Sequence, residues 1–471
     1  MSEHEHHGMK PLAGLARYCR QSHHSEPRVD RFGRMFPHLP PSYVSRPKLV
    51  DLGKPGGPMD AGSSKKSTSS VPVGMVFFGQ FVDHDITLDA STSFEQVVDD
   101  AGEVMNVRTP TLDLDCIYGL GPEAQPYLYS QTAPFAGAKL LTGADTGAGG
   151  LVDDDLLRSA NGRAMIGDPR NDENRIISQM QLAMVRFHNH VCDTLNAAQP
   201  TLQNSKLYEE ARKQTTWHYQ WNVVHDFLTT MCGAAVVDRI LACGREYYCG
   251  GVPYIPVEFS VAAYRFGHSM IPMQIQTQKN GAKHDLFGSV LGDGFKALTN
   301  PAAVVDFHEL FETPENRSVE RADKLDTQLA STLLALPFIP PGDDQSLAVR
   351  NLMRGSTFLL PGGDKIAEHM KRDAGELDDV RDKVESLGPV GREGVPLWLY
   401  ILAEAEVIGR EDAPGNFSKG EGLGPVGATI VAETVIGLLE YDEDSFLGAN
   451  RNWSPRAEWS DVGRMLTAAQ P

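Results

Sequence analysis

The sequence predicts a mainly α fold: a single large helical domain with little β-structure. Three observations predict it. From Val71 onward apolar residues recur at spacings of three and four. Strand-like alternation is confined to a few short runs, and no repeat of fixed period divides the chain. At about 100–200 residues per domain, 471 residues suggest two or three domains, but large helical chains often stay whole.

Residues 1–73 are rich in Pro, Gly, His and basic residues and poor in periodicity. They include the Pro-rich run 36–41 and the Gly-Ser-Lys stretch 61–70. An irregular N-terminal arm ending in a flexible loop is expected there, with the helical domain over 74–471. Candidate helices follow at 73–85, 174–199, 206–230, 257–267, 346–360, 365–386, 396–404 and 426–439. In the second, Ile177, Met180, Met184 and Phe187 form an apolar stripe, and Pro169 and Asp172 supply start signals. The run Gly420-x-Gly422-x-Gly424-x-x-Gly427 follows no expected strand and reads as a helix-entry loop, not a nucleotide loop.

Composition removes several function classes. Forty-three basic against 62 acidic side chains give a net charge of −19, which repels nucleic acid and anionic lipid. With 41% hydrophobic residues the chain can bury a sizeable core, so global disorder is excluded. Cysteines at 19, 116, 192, 232, 243 and 249, with no Cys-x-x-Cys, fit neither a disulfide scaffold nor a cysteine zinc site. The start Met-Ser-Glu-His-Glu-His-His has no apolar signal region. No run reaches the roughly 20 apolar residues of a membrane span. A cytoplasmic protein with reduced thiols is expected, and His4, His6 and His7 read as part of a mobile tail.

Five segments carry patterns that suggest chemistry. In Phe77-Phe78-Gly79-Gln80-Phe81-Val82-Asp83-His84-Asp85, a helix places Gln80, Asp83 and His84 on one face, with Asp85 about 100° further round. Such groups are costly to bury among aromatic residues unless they have partners; a hydrogen-bonded core histidine is the plain alternative. In Arg108-Thr109-Pro110-Thr111-Leu112-Asp113-Leu114-Asp115, an extended strand would project the oxygen-bearing side chains at 109, 111, 113 and 115 to one side. Those groups, joined by Asp85, suit a hard cation such as calcium, which takes about six to eight oxygens; a half-buried strand edge is the alternative. Gly167-Asp168-Pro169-Arg170-Asn171-Asp172-Glu173-Asn174 precedes the long helix, where Glu173 also suits a solvated start with a capping acid. In Tyr264-Arg265-Phe266-Gly267-His268-Ser269-Met270, Gly267 leaves room beside an imidazole that could be an axial haem ligand. In Arg350-Asn351-Leu352-Met353-Arg354, Asn351 can accept the proton on the far nitrogen of such an imidazole, and Arg354 shares its helix face.

Together and in this order, these segments resemble the myeloperoxidase-type (animal-type) haem peroxidases of the peroxidase–cyclooxygenase superfamily, a bacterial member in particular. The resemblance spans residues 30–440 and includes 31–37, 182–191 and 423–439. It implies a haem b held between long helices. His84 would be the distal histidine and Arg170 the distal arginine, with Gln80 beside them. His268 would ligate the iron, with Asn351 as its hydrogen-bond partner. Asp85, Thr109, Thr111, Asp113 and Asp115 fall on the calcium ligands; the family often has Ser where Asp115 stands, so this site is expected to be more anionic. Asp83 and Glu173 match carboxylates that become ester-linked to haem. Asn174 replaces the methionine of the sulfonium link, so that bond is expected to be missing. Arg265 and Arg354 match positions facing the propionates.

The resemblance also implies the chemistry. His84 would take a proton from hydrogen peroxide and return it to the leaving oxygen, while Arg170 stabilises the developing charge. A halide, thiocyanate or phenol would be the reductant. Two rivals share the motifs. A fatty-acid dioxygenase needs a tyrosine three residues before the proximal histidine, where this chain has Arg265, with Tyr264 out of helical phase. A non-catalytic haem carrier or sensor would not need both His84 and Arg170.

Overall fold

At the centre of the computed structural model, which describes residues 27–62, 65–89, 97–98, 100–342, 345–388, 390 and 394–470, lies the helix Val73–Ile86. Extended backbone at Pro72 and Thr87 bounds it, and every residue except Gln80 and Asp83 is buried. It is therefore a core helix with one polar strip. Phe78 stacks on Phe81, and both meet Tyr219 edge-on at centroid distances of 6.0 and 6.1 Å. Each such pair adds about 0.5–1.5 kcal/mol beyond area burial. At Gly79 a Cβ would lie 3.0 Å from the Phe227 ring, so glycine permits the close approach of the next layer.

The long helix Arg175–Ala198 packs against this one. Its cap is Asn174, whose Oδ1 accepts from Ile177 N at 3.0 Å, a contribution of about 1 kcal/mol. Glu173, read from sequence as a capping acid, is instead turned toward the site described below. The helix Asn204–Asn222 packs back on the long helix, then widens into a π-helical segment, Val223–Leu228, before Thr229–Cys232. Such segments are frequent at functional sites because the extra residue redirects side chains.

Two other expected helices differ from a continuous α pattern. Over 257–267 the chain is π-helical at Glu258–Ala262 and 3₁₀ at Ala263–Met270. The span 365–386 splits into Gly363–His369 and Ala374–Leu387. Lys371 is left-handed at φ 57° and Asp373 accepts from Gly375 N at 2.8 Å, so the second piece starts with its own cap.

The helices Leu397–Val407 and Pro425–Tyr441 form a buried pair. The glycine run at 420–427 leads into the second of them, as expected. There the amides of Val426 and Gly427 donate to the Glu404 carboxylate at 3.0–3.2 Å. The carboxylate fills from inside the place where a helix N-terminus could hold phosphate.

The β-structure of the described residues consists of two-stranded pairs. One joins Ser67–Pro72 to Arg321–Asp323. Part of the stretch read as a flexible loop is thus strand, because its pairing partner lies some 250 positions away. The same region holds the helix Arg46–Gly53 and the buried side chains Phe32, Met35 and Phe36, so parts of the arm belong to the core. One cluster of buried apolar side chains runs from Phe32 to Leu466. His4, His6, His7 and Cys19 lie outside the described residues. Among the described residues no helix is long and apolar enough to cross a membrane, and Cys116, Cys192, Cys232, Cys243 and Cys249 are free thiols.

Candidate active site

A cavity of about 650 Å³ is bounded by the Val73–Ile86 helix, the turn Pro169–Asp172, the segment Ala263–Met270 and the helix Leu347–Thr357. The first two elements contribute Gln80, Asp83, His84 and Arg170, with Glu173 immediately after the turn. The latter two contribute Arg265, His268, Arg350 and Arg354. Much of the remaining wall is apolar, including Phe227, Leu286, Phe287 and Phe338.

His84 is buried, and its Nδ1 lies 2.7 Å from Asn171 Oδ1. Burial, reinforced by the Arg170 guanidinium, pushes the imidazole down to about 4, so it is neutral at pH 7. Arg170 is clamped. Its Nε and Nη2 bond Asp168 at 2.7–3.2 Å, and Nη2 also donates to the carbonyls of His84 and Thr87 at 3.0 and 2.7 Å. A cation thus sits on the last carbonyls of the His84 helix, where the dipole favours it. Gln80 donates its amide to Glu173 Oε1. Burial outweighs Arg170 and this bond and lifts Glu173 to about 7. Asp83 accepts from Thr87 Oγ1 at 2.9 Å.

Burial and Arg265 push His268 down to about 3, so its imidazole is also neutral. Asn351 Nδ2 lies 2.8 Å from His268 Nδ1, while its Oδ1 accepts from Arg265 Nη1 at 3.0 Å. This reverses the polarity expected from sequence, because the guanidinium, a charged donor, claims the amide oxygen. Arg265 also donates to Ser260 O at 3.0 Å, and Arg354 pairs with Asp89 at 2.7 Å. Both line the cavity, but with protein partners of their own. Tyr264, read as out of helical phase, lines it too, and its buried hydroxyl has no hydrogen-bond partner among the described residues.

Next to His84, Asp85 points away into an acidic cluster. Carboxylate oxygens of Asp85, Asp113 and Asp115 lie within 4.8 Å of one another. Thr109 Oγ1 donates to Asp113 at 3.2 Å and to Asp115 at 3.3 Å, and Thr111 is half-buried in the same loop. The residues are not an extended strand. Leu114 is left-handed at φ 60° and opens a single helical turn, Asp115–Tyr118, and this kink brings Asp113 and Asp115 together. Among the described residues Asp85 Oδ1 is buried with no partner at hydrogen-bond geometry. Burial and the two other acids raise Asp85 well above the usual carboxylate range, and burial with Asp115 lifts Asp113 to about 6. Arg108 donates to Asp115 at 3.1 Å and so offsets part of the charge that Asp115 adds.

The family model for animal haem peroxidase matches residues 93–334, just over half of the chain. This chain belongs to the animal haem peroxidase family. Chorion peroxidase of Drosophila melanogaster is 24% identical over 275 residues, 54% of this chain and 32% of that protein. Another peroxidase of Drosophila melanogaster is 25% identical over 343 residues, 66% and 48%. Eosinophil peroxidase of Homo sapiens reaches 33% over 107 residues, 23% and 15%. The chain spans less than half the length of these curated relatives. Among solved structures, peroxidase A of Dictyostelium discoideum superposes with a TM-score of 0.58 at 14% identity, covering 94% of each chain. A fatty acid alpha-dioxygenase of Arabidopsis thaliana gives 0.60 at 16%, covering 94% and 77%. Both likenesses concern the mainly α peroxidase fold alone.

Within this member of the animal haem peroxidase family the structure gathers His84, Gln80, Asp83, Arg170, Glu173, Arg265, His268 and Arg354 at one cavity, and Asp85, Asp113, Asp115 and Thr109 at a second cluster. Sequence reading missed the residues behind them. Asn171 holds His84, Asp168 holds Arg170, and Arg108 bridges Asp115 and Asp168. Their signal was present in the same string, since Asp168 and Asn171 flank Arg170, but polar residues at a turn read first as caps and turn formers.

Proposed function

We propose that this chain is a haem peroxidase that reduces hydrogen peroxide and oxidises a small donor: a halide, thiocyanate or phenol. The observation that carries this reading is the convergence of two neutral imidazoles, His84 and His268, with the clamped Arg170 on one largely apolar cavity. The donor set fits haem b: an imidazole for the iron, cations at Arg265, Arg350 and Arg354 for carboxylate tails, and apolar walls for the ring. Haem supplies the redox-active metal when bound. His268 would ligate it through Nε2, which requires the Nδ1 proton to be accepted by Asn351 Oδ1. That arrangement therefore requires Arg265 to release the amide oxygen so that the Asn351 side chain can turn over. His84 takes the peroxide proton at Nε2 and delivers it to the departing oxygen. Arg170 stabilises the charge that develops between the oxygens without moving, since Asp168 and two carbonyls already fix it.

Steady-state assays with iodide, bromide, thiocyanate and a phenol test the proposal. Peroxide-dependent oxidation of at least one is expected. Oxygen uptake with a fatty acid and none of these oxidations would favour the dioxygenase reading, for which Tyr264 in the cavity wall is the one supporting feature and Arg265 the opposing one.

We also propose that the acidic cluster holds calcium. Three carboxylates, one of them Asp85 with an unpartnered buried oxygen, and a threonine hydroxyl make a hard-oxygen donor set. Elemental analysis should give about one calcium per chain by that ligand count. Chelation should expose a pH dependence. In the cation-free protein Asp85 and Asp113 bind protons more tightly when folded than when unfolded. For Asp113 that stabilisation is full below about pH 4 and is lost as pH rises through about 6, and Asp85 acts in the same direction. Calcium should abolish that loss, and at a concentration 100-fold above its Kd it adds about 2.7 kcal/mol. Thermal melts at about pH 4 and pH 7, with and without chelator, check both signs.

A further inference from the structure

We infer that Asn171 and Gln181 are positioning residues, forming an amide relay that holds His84 in the tautomer with its proton on Nδ1 and its lone pair on Nε2. The inference rests on reading His84 as the residue that accepts the peroxide proton. His84 Nδ1 lies 2.7 Å from Asn171 Oδ1; Asn171 Nδ2 donates to Gln181 Oε1 at 2.8 Å; Gln181 Nε2 donates to the backbone carbonyl of Cys116 at 3.1 Å. Both amide side chains are fully buried and His84 is nearly so, so no water competes for these bonds.

The end of the chain decides its direction. A carbonyl oxygen can only accept, so Gln181 must present its NH₂ to Cys116 and its oxygen to Asn171. Asn171 must then present its NH₂ to Gln181 and its oxygen to His84. Turning Gln181 over would set its NH₂ against that of Asn171 and its oxygen against the Cys116 carbonyl, and turning Asn171 over would set its oxygen against Gln181 Oε1; either leaves a buried acceptor unpaired, at about 1–3 kcal/mol. The imidazole is left one consistent role at Nδ1, that of donor. Cys116 is itself fixed, because its carbonyl also accepts from Gly167 N at 3.0 Å, just before the turn that carries Arg170 and Asn171. The amide on the other side of the cavity shows the contrast. The relay through Asn351 ends on Arg265, a donor, and its polarity is opposite.

Two holoenzyme variants test the relay. Gln181→Met keeps the volume but removes both amide groups, and Asn171→Leu removes the acceptor. Each should slow the reactions with hydrogen peroxide and with hydrogen cyanide, both of which hand a proton to His84, by about tenfold or more, on the scale of positioned proton transfer. Association of carbon monoxide with the reduced protein transfers no proton and should keep its parent rate. In the diamagnetic carbon monoxide complex, ¹⁵N spectra of labelled histidine should show His84 protonated at Nδ1 in the parent, and at Nε2 or in exchange in Gln181→Met. An Nε2-protonated His84 in the parent, unchanged peroxide and cyanide rates, or an equal fall in all three rates would each overturn the relay. If His84→Ala leaves the peroxide rate unchanged, the reading of His84 itself fails, which is a separate result.

Discussion

Replacing His84 by alanine is expected to slow the reaction with hydrogen peroxide by about 10²–10⁴-fold, the usual range for a positioned acid–base group, while haem stays bound through His268. The structure gives the reason for so large an effect. The imidazole is neutral, buried and oriented by Asn171, and no other neutral base among the cavity-lining residues shares its helix face. Arg170 remains in the variant, and its charge still supports breaking of the O–O bond, so the loss should stop short of the uncatalysed rate. The parent rate should be flat above about pH 5 and fall as pH drops through 4, because protonated His84 cannot take the peroxide proton. Stopped-flow spectra across that range give both results. An unchanged rate in the variant, or a parent rate that rises on acidification, would falsify the assignment.

What the sequence made legible was set by how local each constraint is. The face shared by Gln80, Asp83 and His84 follows from helix geometry alone, and the structure keeps it on Val73–Ile86. The long helix was equally legible, since its apolar stripe and start signals lie within one stretch. The strand at Ser67–Pro72 was not, because its pairing partner is distant and its own residues are mostly polar. The acidic loop shows a subtler miss. Residue types and spacing pointed to a cation, but the extended-strand geometry was wrong. Asp113 and Asp115 converge through the left-handed Leu114, a conformation no residue-type pattern announces. At Asn351 the residue was legible and the donor that competes for its amide oxygen was not, because Arg265 lies 86 positions away. Sequence order thus located the side chains that face the cavity. The amides, ion pairs and backbone carbonyls that aim them became visible only once distant segments were packed together.

The other large effect concerns covalent attachment. In the parent protein, exposed to peroxide with haem bound, the haem should stay with the polypeptide in acidified organic solvent. Asp83→Val combined with Glu173→Val should release it. Both carboxylates line the cavity, Asp83 on the helix of His84 and Glu173 just after the turn of Arg170. Glu173 has the stronger physical incentive. Its charge is buried, Gln80 supplies a neutral donor, and Arg170 compensates it incompletely because Asp168 already holds that guanidinium. Converting the carboxylate to an ester removes the buried charge while keeping a carbonyl for Gln80 to bond, so the desolvation cost disappears and the hydrogen bond survives. The ester would form as a carboxylate oxygen bonds a haem methyl carbon and that carbon loses its C–H bond, with hydrogen peroxide as the two-electron oxidant; the ionised acid is the nucleophile, and Glu173 titrates near 7. In Asp83→Val, where Glu173 is the remaining candidate, attachment should therefore speed up as pH rises through 7, read by mass spectrometry of the haem-bearing peptide. Release of haem from the peroxide-treated parent would refute the linkage, and retention in the double variant would place the bond on another side chain.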